Sequence, residues 1–186
     1  MSLAERFAQY AATFEEVYER DDWSLLDDYF TEDAVYETFA DPPFGGVLEG
    51  RDAIFSQLKT ILDTFDRRFE SRDLELLDGP NEQDGAVWIR WRVVYRAGTA
   101  PALVIEGEET AHFKGDRIRR LEDRFTGESA KEVTRWLEEH GSQMKPAPAD
   151  YSLTHKCLSR MQVHPRYTKR SVLVRHGAGL PRSSSV

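Results

Sequence analysis

The apolar residues of this chain change their spacing near residue 68, and that change limits the folds open to it. Up to Phe65 most of them recur every three or four positions. From Phe69 to Phe125 they mostly alternate. A helical first half followed by hairpin-linked strands does not build βαβ crossovers. It builds an α+β domain whose helices gather on one face of an antiparallel sheet.

Ser2-Leu3-Ala4-Glu5 has the capping-box pattern, and Leu3, Phe7, Tyr10, Ala11, Phe14, Val17 and Tyr18 follow at helical spacing, predicting a helix over 3–20. Asp21 or Asp22 can cap a second short helix carrying Trp23, Leu25, Leu26, Tyr29 and Phe30. A strand is predicted over 34–39, and DPPFGG at 41–46 breaks it. A third helix over 50–65 aligns Ile54, Leu58, Ile61, Leu62 and Phe65. A strand within 69–78, a turn at 79–85, and strands over 86–96, 103–113 and 118–125 come next. KGDR at 114–117 forms the last hairpin. A final helix over about 128–140 buries Val133, Trp136 and Leu137, with Gly141 as its C-terminal cap. The expected fold is a cone: a curved antiparallel sheet with three N-terminal helices packed on its concave face, plus a C-terminal helix and tail. The domain spans 1–141, and 142–186 is a basic, flexible tail that begins with the proline-interrupted KPAPAD. The interior of such a cone is a pocket.

Charge divides the chain in the same place. From Gln143 onward there are eight Lys/Arg and one acid, or +7. The net charge is −8, so the remainder, with 17 basic and 32 acidic residues, carries −15. An acidic body repels phosphate backbones and makes nucleic acid an unlikely partner, whereas the tail keeps that option. Cys157 is the only cysteine, which excludes an intrachain disulfide and a Cys-rich zinc site. The polar start and the lack of a membrane-length apolar run give the expectation of a cytoplasmic protein without a membrane partner.

Three segments, DDWSLLDDYFTEDAVYE (21–37), GVLEGRDAI (46–54) and HFKGDRIRRLEDRF (112–125), resemble the nuclear transport factor two-like superfamily, especially its SnoaL-like, polyketide cyclase-like branch. The resemblance spans roughly 5–126. It implies the cone fold and a small-molecule pocket, but the fold serves isomerases, dehydratases, cyclases, epoxide hydrolases and non-catalytic modules. Alignment with ketosteroid isomerases puts Thr38 at the base, Phe14 at the oxyanion tyrosine and Glu109 at the second acid; neither Thr38 nor Phe14 can do that chemistry. Alignment with limonene-epoxide hydrolases matches Asp123, but places Trp91 and Val93 where an Arg and an Asp are needed. The SnoaL-like acid/base aspartate also matches Asp123, with Leu121 in place of a frequent histidine.

The residues themselves single out Asp123. Strand alternation puts it on the face of Leu121 and Phe125, where a carboxyl group has a raised pKa suited to acid/base work. Glu109 shares the parity of Ala111 and Phe113 and is a candidate second acid. Tyr36 and Tyr18 offer hydroxyls to a carbonyl oxygen. Phe14, Phe55, Trp91, Tyr95 and Phe113 are candidate pocket walls, and His112 is expected on the opposite face. No spacing argues for a metal, and no glycine motif for a cofactor. The resulting expectation is a cofactor-independent cyclase, isomerase or dehydratase acting on an apolar carbonyl compound. The alternative is a non-catalytic ligand-binding or protein-interaction module. Arg90, Arg92 and Arg96 fall on the outer sheet face, the expected homodimer surface.

Overall fold

A computed structural model describes residues 1–39 and 45–149. Helix α1 (Leu3–Arg20) starts at the capping box: the Ser2 hydroxyl accepts from the Glu5 amide, and the Glu5 carboxylate accepts from the Ser2 amide. A single 3-10 turn, Trp23–Leu26, follows. Strands β1 (Phe30–Phe39) and β2 (Gly46–Glu49) precede α2 (Arg51–Thr64). Strands β3 (Ser71–Gln83), β4 (Ala86–Arg96), β5 (Leu103–Lys114) and β6 (Arg117–Phe125) complete the sheet, and α3 (Gly127–His140) follows.

The strands lie in the order β2-β1-β6-β5-β4-β3. Every junction is antiparallel except β1 with β6, which is parallel, so the fold is α+β with a curved, unclosed six-stranded sheet. Helix α1 crosses β3 and β4, α2 packs on β1 and β2, and α3 packs on β5. Among the described residues, no helix is long and apolar enough to cross a membrane.

Three local expectations need correction. The second helix is only one 3-10 turn, and Phe30 opens β1 instead of lying on it. Residues 46–49, given no strand ahead of the helix predicted from residue 50, pair with 35–38 as β2. Four residues are too few to show alternation. Strand β3 runs through the supposed turn at 79–85, absorbing Gly79 and Pro80 in a register irregularity between Asp78 and Asn81. Irregularities of this kind let a strand carry residues that a regular ladder rejects. Gly141 is the C-terminal cap of α3 as expected, in a right-handed conformation with φ −55°, its amide donating to the Leu137 carbonyl before the chain continues into a 3-10 turn at 141–143. The predicted break at 41–46 lies mostly outside the described residues, as does the tail beyond Ala149.

Two apolar clusters fill the concave side. One joins Phe7, Tyr10, Val17, Leu26, Phe30, Ala34, Tyr36, Ile54 and Phe55 to Val87, Ala111, Ile118 and Leu121. The other gathers Phe69, Val93, Tyr95, Leu103 and Ile105 around Val133, Trp136 and Met144. The convex side is a lattice of ion pairs: Arg92 bridges Glu75 and Glu106, Arg96 pairs with Asp73, and Arg120 joins Glu37 to Glu122. His112 lies on this side, 3.8 Å from Glu122.

Candidate functional site

Strand register arranges the concave face in rungs. One is apolar: Tyr36, Leu121, Ala111 and Val87, taken from β1, β6, β5 and β4. The next is Thr38, Asp123, Glu109 and Ile89. The third is Phe125, Gly107, Trp91 and Leu76. The middle rung is the polar one, and it lies between the two apolar clusters. It places the two carboxyl groups directly opposite each other on adjacent strands, where side chains interact most strongly.

The Tyr36 hydroxyl reaches over from the neighbouring rung and donates a 2.5 Å hydrogen bond to Asp123 Oδ2. Asp123 Oδ1 is buried and receives no N–H or hydroxyl donor. Its neighbour is the Glu109 carboxyl. Burial pushes the Glu109 pKa well above the usual carboxylate range, and the charge of Asp123 and a hydrogen bond between the two side chains push it further. Burial also raises Asp123, to about 6, while hydrogen bonds from Tyr36 and Glu109 hold it down against that. Both carboxyls thus hold a proton more tightly than they would in water, and they titrate as a pair. Glu109 and Asp123 are both half-buried.

The surroundings fix this geometry. Phe30 is fully buried, with its ring 5.5 Å from Tyr10 and 5.4 Å from Phe55. Phe14 lies edge-on to Trp23 in the same cluster, and Phe113 packs against its margin. Trp91 lies over Gly107 and meets Phe125 edge-on at 5.7 Å. A Cβ at Gly107 would come 2.6 Å from Trp91 Cζ2 and 2.8 Å from the Arg124 carbonyl oxygen. Gly107→Ala is therefore expected to destabilise the domain by about 1–3 kcal/mol and to tilt the indole off the sheet. Urea unfolding of variant and wild type checks this.

Two candidate site residues lie elsewhere. The Tyr95 hydroxyl donates to Asp66 Oδ1 at 2.6 Å within the second cluster. Tyr18 stacks under Arg72, whose guanidinium binds Glu15 and approaches Asp66 at 3.4 Å. These two tyrosines serve a buried polar joint between α1, β3 and β4, and neither is part of the acid pair. Conversely, sequence reasoning passed over Tyr10. Burial raises its hydroxyl pKa well above the usual value, and the charges of Glu109 and Asp123 add to the rise, so it lies within electrostatic reach of the pair. On the sequence it fills one more place on an apolar helix stripe; the only hint was a phenol among phenylalanines. Asp66, a buried acid without periodic context, left no signal.

The acid pair makes an unusual contribution to stability. The folded-state pKa of Asp123 is above its ordinary value of 3.8, so the native state holds this proton more tightly than the unfolded chain. The contribution is complete below about pH 4 and is lost as pH rises through about 6. A shift from 3.8 to about 6 corresponds to about 3 kcal/mol. Asp123→Asn is expected to gain that much relative to wild type between pH 4 and pH 8, read from urea midpoints at the two pH values.

A depression of ≈ 550 Å³ between β5 and α3 is lined by Glu106, Thr126, Glu128, Lys131, Glu132 and Arg135, among others. Glu106 has the opposite strand parity from Glu109, so this depression is separate from the acid pair. Among the described residues, no group of three or more His, Cys, Asp or Glu could hold a metal ion.

The strand order, the curved, unclosed sheet and the helices on its concave side give a cone fold of the nuclear transport factor two-like kind. Within that class the chain belongs to the SnoaL-like domain family, whose model matches residues 10–121. No curated protein matches the sequence. Among solved structures, Bal32a from a soil-derived mobile gene cassette is similar at 22% identity, covering 71% of this chain and 98% of its own, with a TM-score of 0.54. An epoxide hydrolase from M. tuberculosis, of the LEH-like kind, is 14% identical, covering 75% and 97%, with a TM-score of 0.53. TerC, co-crystallised with polyporic acid, is 12% identical, covering 70% and 98%, with a TM-score of 0.53. At these identities the likeness is one of fold.

Proposed function

We propose that the concave face binds a small apolar carbonyl compound and moves a proton on it without a cofactor. The observation that carries this reading is the Glu109–Asp123 carboxyl pair, facing across adjacent strands on a polar rung between two apolar clusters, with the Tyr36 hydroxyl on Asp123. Such a pair presents a base and an acid side by side, with pKa values pushed apart by their environment. Asp123 removes a proton from the carbon next to the carbonyl. The C–H electron pair becomes the C=C bond of an enolate, and the carbonyl π pair moves onto oxygen. Glu109 turns its O–H from Asp123 to that oxygen and stabilises the charge. Where the enolate is conjugated with a further C=C bond, returning the proton from Asp123 to the far carbon gives an isomer; where it attacks a second carbonyl of the same molecule, the new C–C bond closes a ring and the alkoxide formed takes the proton from Asp123. Tyr36 holds Asp123 in place, and Trp91 with Phe55 shapes the apolar walls. The fold relatives named as an epoxide hydrolase and as a complex with polyporic acid are in keeping with a fold that takes small molecules.

The test does not depend on which product forms. Apolar ketones, aromatic polyketides and sterols are screened for thermal stabilisation, and those that bind are incubated with the protein in D2O. Wild type is expected to place deuterium on the carbon next to the carbonyl, and Asp123→Asn is expected to lose that exchange. Binding with no exchange in wild type would instead support a ligand-sequestering module.

We further propose that two copies meet through the convex face. Arg, Asp and Glu side chains dominate that face, with Val94 and exposed Val104 among them, so the dimer is expected to weaken as salt screens it, measurable by sedimentation at low and high ionic strength.

A further inference from the structure

Thr38 faces Asp123 directly across the β1–β6 junction, on the same polar rung. It cannot take a proton from carbon, so the acid/base step leaves it without a part. Its place nevertheless governs a neighbour. Tyr36 lies two residues earlier on β1 and on the same face, and its hydroxyl reaches over to Asp123 Oδ2 at 2.5 Å. To arrive there it passes the residue opposite Asp123, which is Thr38. The Thr38 side chain hydrogen-bonds the Tyr36 hydroxyl and favours negative charge on the phenol oxygen, so Thr38 is the donor.

A phenol hydroxyl has one proton to give and a lone pair to be answered. Tyr36 is only 6% exposed, so neither is left to solvent. With Thr38 donating to its oxygen, the Tyr36 proton is committed to Asp123. Threonine suits the task, because its β-branch restricts χ1 and holds the hydroxyl in one direction. The two oxygens of Asp123 then differ. Oδ2 accepts from Tyr36, whereas Oδ1 takes no N–H or hydroxyl donor among the described residues and has the Glu109 carboxyl beside it.

We infer that Thr38 is a positioning residue: its hydroxyl directs the Tyr36 O–H, which fastens Asp123 by Oδ2 and leaves Oδ1 as the basic oxygen. A donor on the Tyr36 oxygen also polarises its O–H and strengthens the bond to the carboxylate, so Thr38 favours ionised Asp123 through Tyr36. Thr38 matters for turnover only if Asp123 is the base proposed above, but the hydroxyl chain can be tested without a ligand.

The Asp123 carboxyl carbon is followed by NMR through a pH titration of the full-length protein, with Asp123→Asn identifying its signal. The titratable groups that bear on it are Tyr36 from β1, Glu109 from β5 and Tyr10 from α1, and the variants alter none of them. Wild type is expected to titrate near 6. Thr38→Val keeps the shape and loses the hydroxyl, and is expected to move the midpoint up by roughly half a pH unit, about threefold in proton affinity. Thr38→Ala, a second variant without the hydroxyl, is expected to move it the same way. Thr38→Ser keeps the donor and is expected to return the midpoint towards wild type.

A midpoint that stays in place in Thr38→Val and Thr38→Ala would overturn the proposal. So would a Thr38→Ser midpoint as high as that of Thr38→Val, since the hydroxyl would then not be what acts. For a ligand that shows deuterium exchange, the pH limb of exchange is expected to move with the NMR midpoint. Shifted midpoints with no exchange in wild type would uphold the hydroxyl chain and overturn only the reading of Asp123 as a base.

Discussion

Asp123→Asn is expected to lower turnover of an identified substrate by about 10²–10⁴-fold, with little change in substrate affinity. Asparagine keeps the size of the side chain and an oxygen that accepts from Tyr36, but it cannot take a proton from carbon. Binding by the apolar walls is untouched, so the loss falls on kcat. The pH dependence supplies the sharper test. Asp123 must be ionised to act, so the rate of the wild type is expected to rise with pH through a limb near 6. The hydrogen bond from Tyr36 favours the ionised form and lowers that value. Removing it in Tyr36→Phe is expected to move the limb to higher pH. Glu109→Gln keeps an N–H donor but removes a titrating neighbour, so its loss is expected to be smaller than that of Asp123→Asn. A pH–rate profile that Tyr36→Phe leaves in place would show that Asp123 is not the base.

The largest effect on stability is expected from Phe30→Ala, at about 3–5 kcal/mol. Phe30 is fully buried at the first position of β1, between the rings of Tyr10 and Phe55. It touches α1 through Tyr10 and α2 through Phe55, so the cavity lies where the two helices meet the sheet. Neither helix can collapse into it without losing its own contact with the strands. For a domain of this size the melting temperature is expected to fall by roughly 10 °C. The same change removes support from Tyr10 beside the acid pair. Ligand stabilisation measured well below the new melting temperature should therefore weaken too, whereas a variant in the second cluster, such as Val133→Ala, should leave it intact.

The candidate site was legible in the sequence to different depths at different residues. Asp123 could be placed on an apolar face because β6 alternates regularly through Leu121, Asp123 and Phe125. The parity of Glu109 could be read in the same way. That the two carboxyls share a rung could not, because period two gives the face of a side chain and not its partner. Register depends on the length of the hairpin and on the irregularity between His112 and Phe113, which shifts the pairing by one residue.

The tyrosines show the same limit. Tyr36, Tyr18 and Tyr95 all lie at positions that alternation or helical spacing turns inward. Tyr36 ends on Asp123, whereas Tyr95 ends on Asp66, with Tyr18 beside it. The choice depends on which buried carboxyl each hydroxyl can reach, and Asp66 has no periodic neighbour to announce it. Local pattern also could not reveal β2, whose four residues exist as a strand only because β1 lies beside them.

The sequence by itself determined the class of fold, the inward face of each long strand and the helix that opens the domain, since these follow from spacing and from contacts three or four residues apart. Tertiary structure alone decided that Asp123 meets Glu109 and Tyr36, that Trp91 lies over Gly107, and that among the described residues no strand pairs with the outer edge of β3. Each of those depends on residues dozens of positions apart being brought into register, and register is a property of the whole sheet.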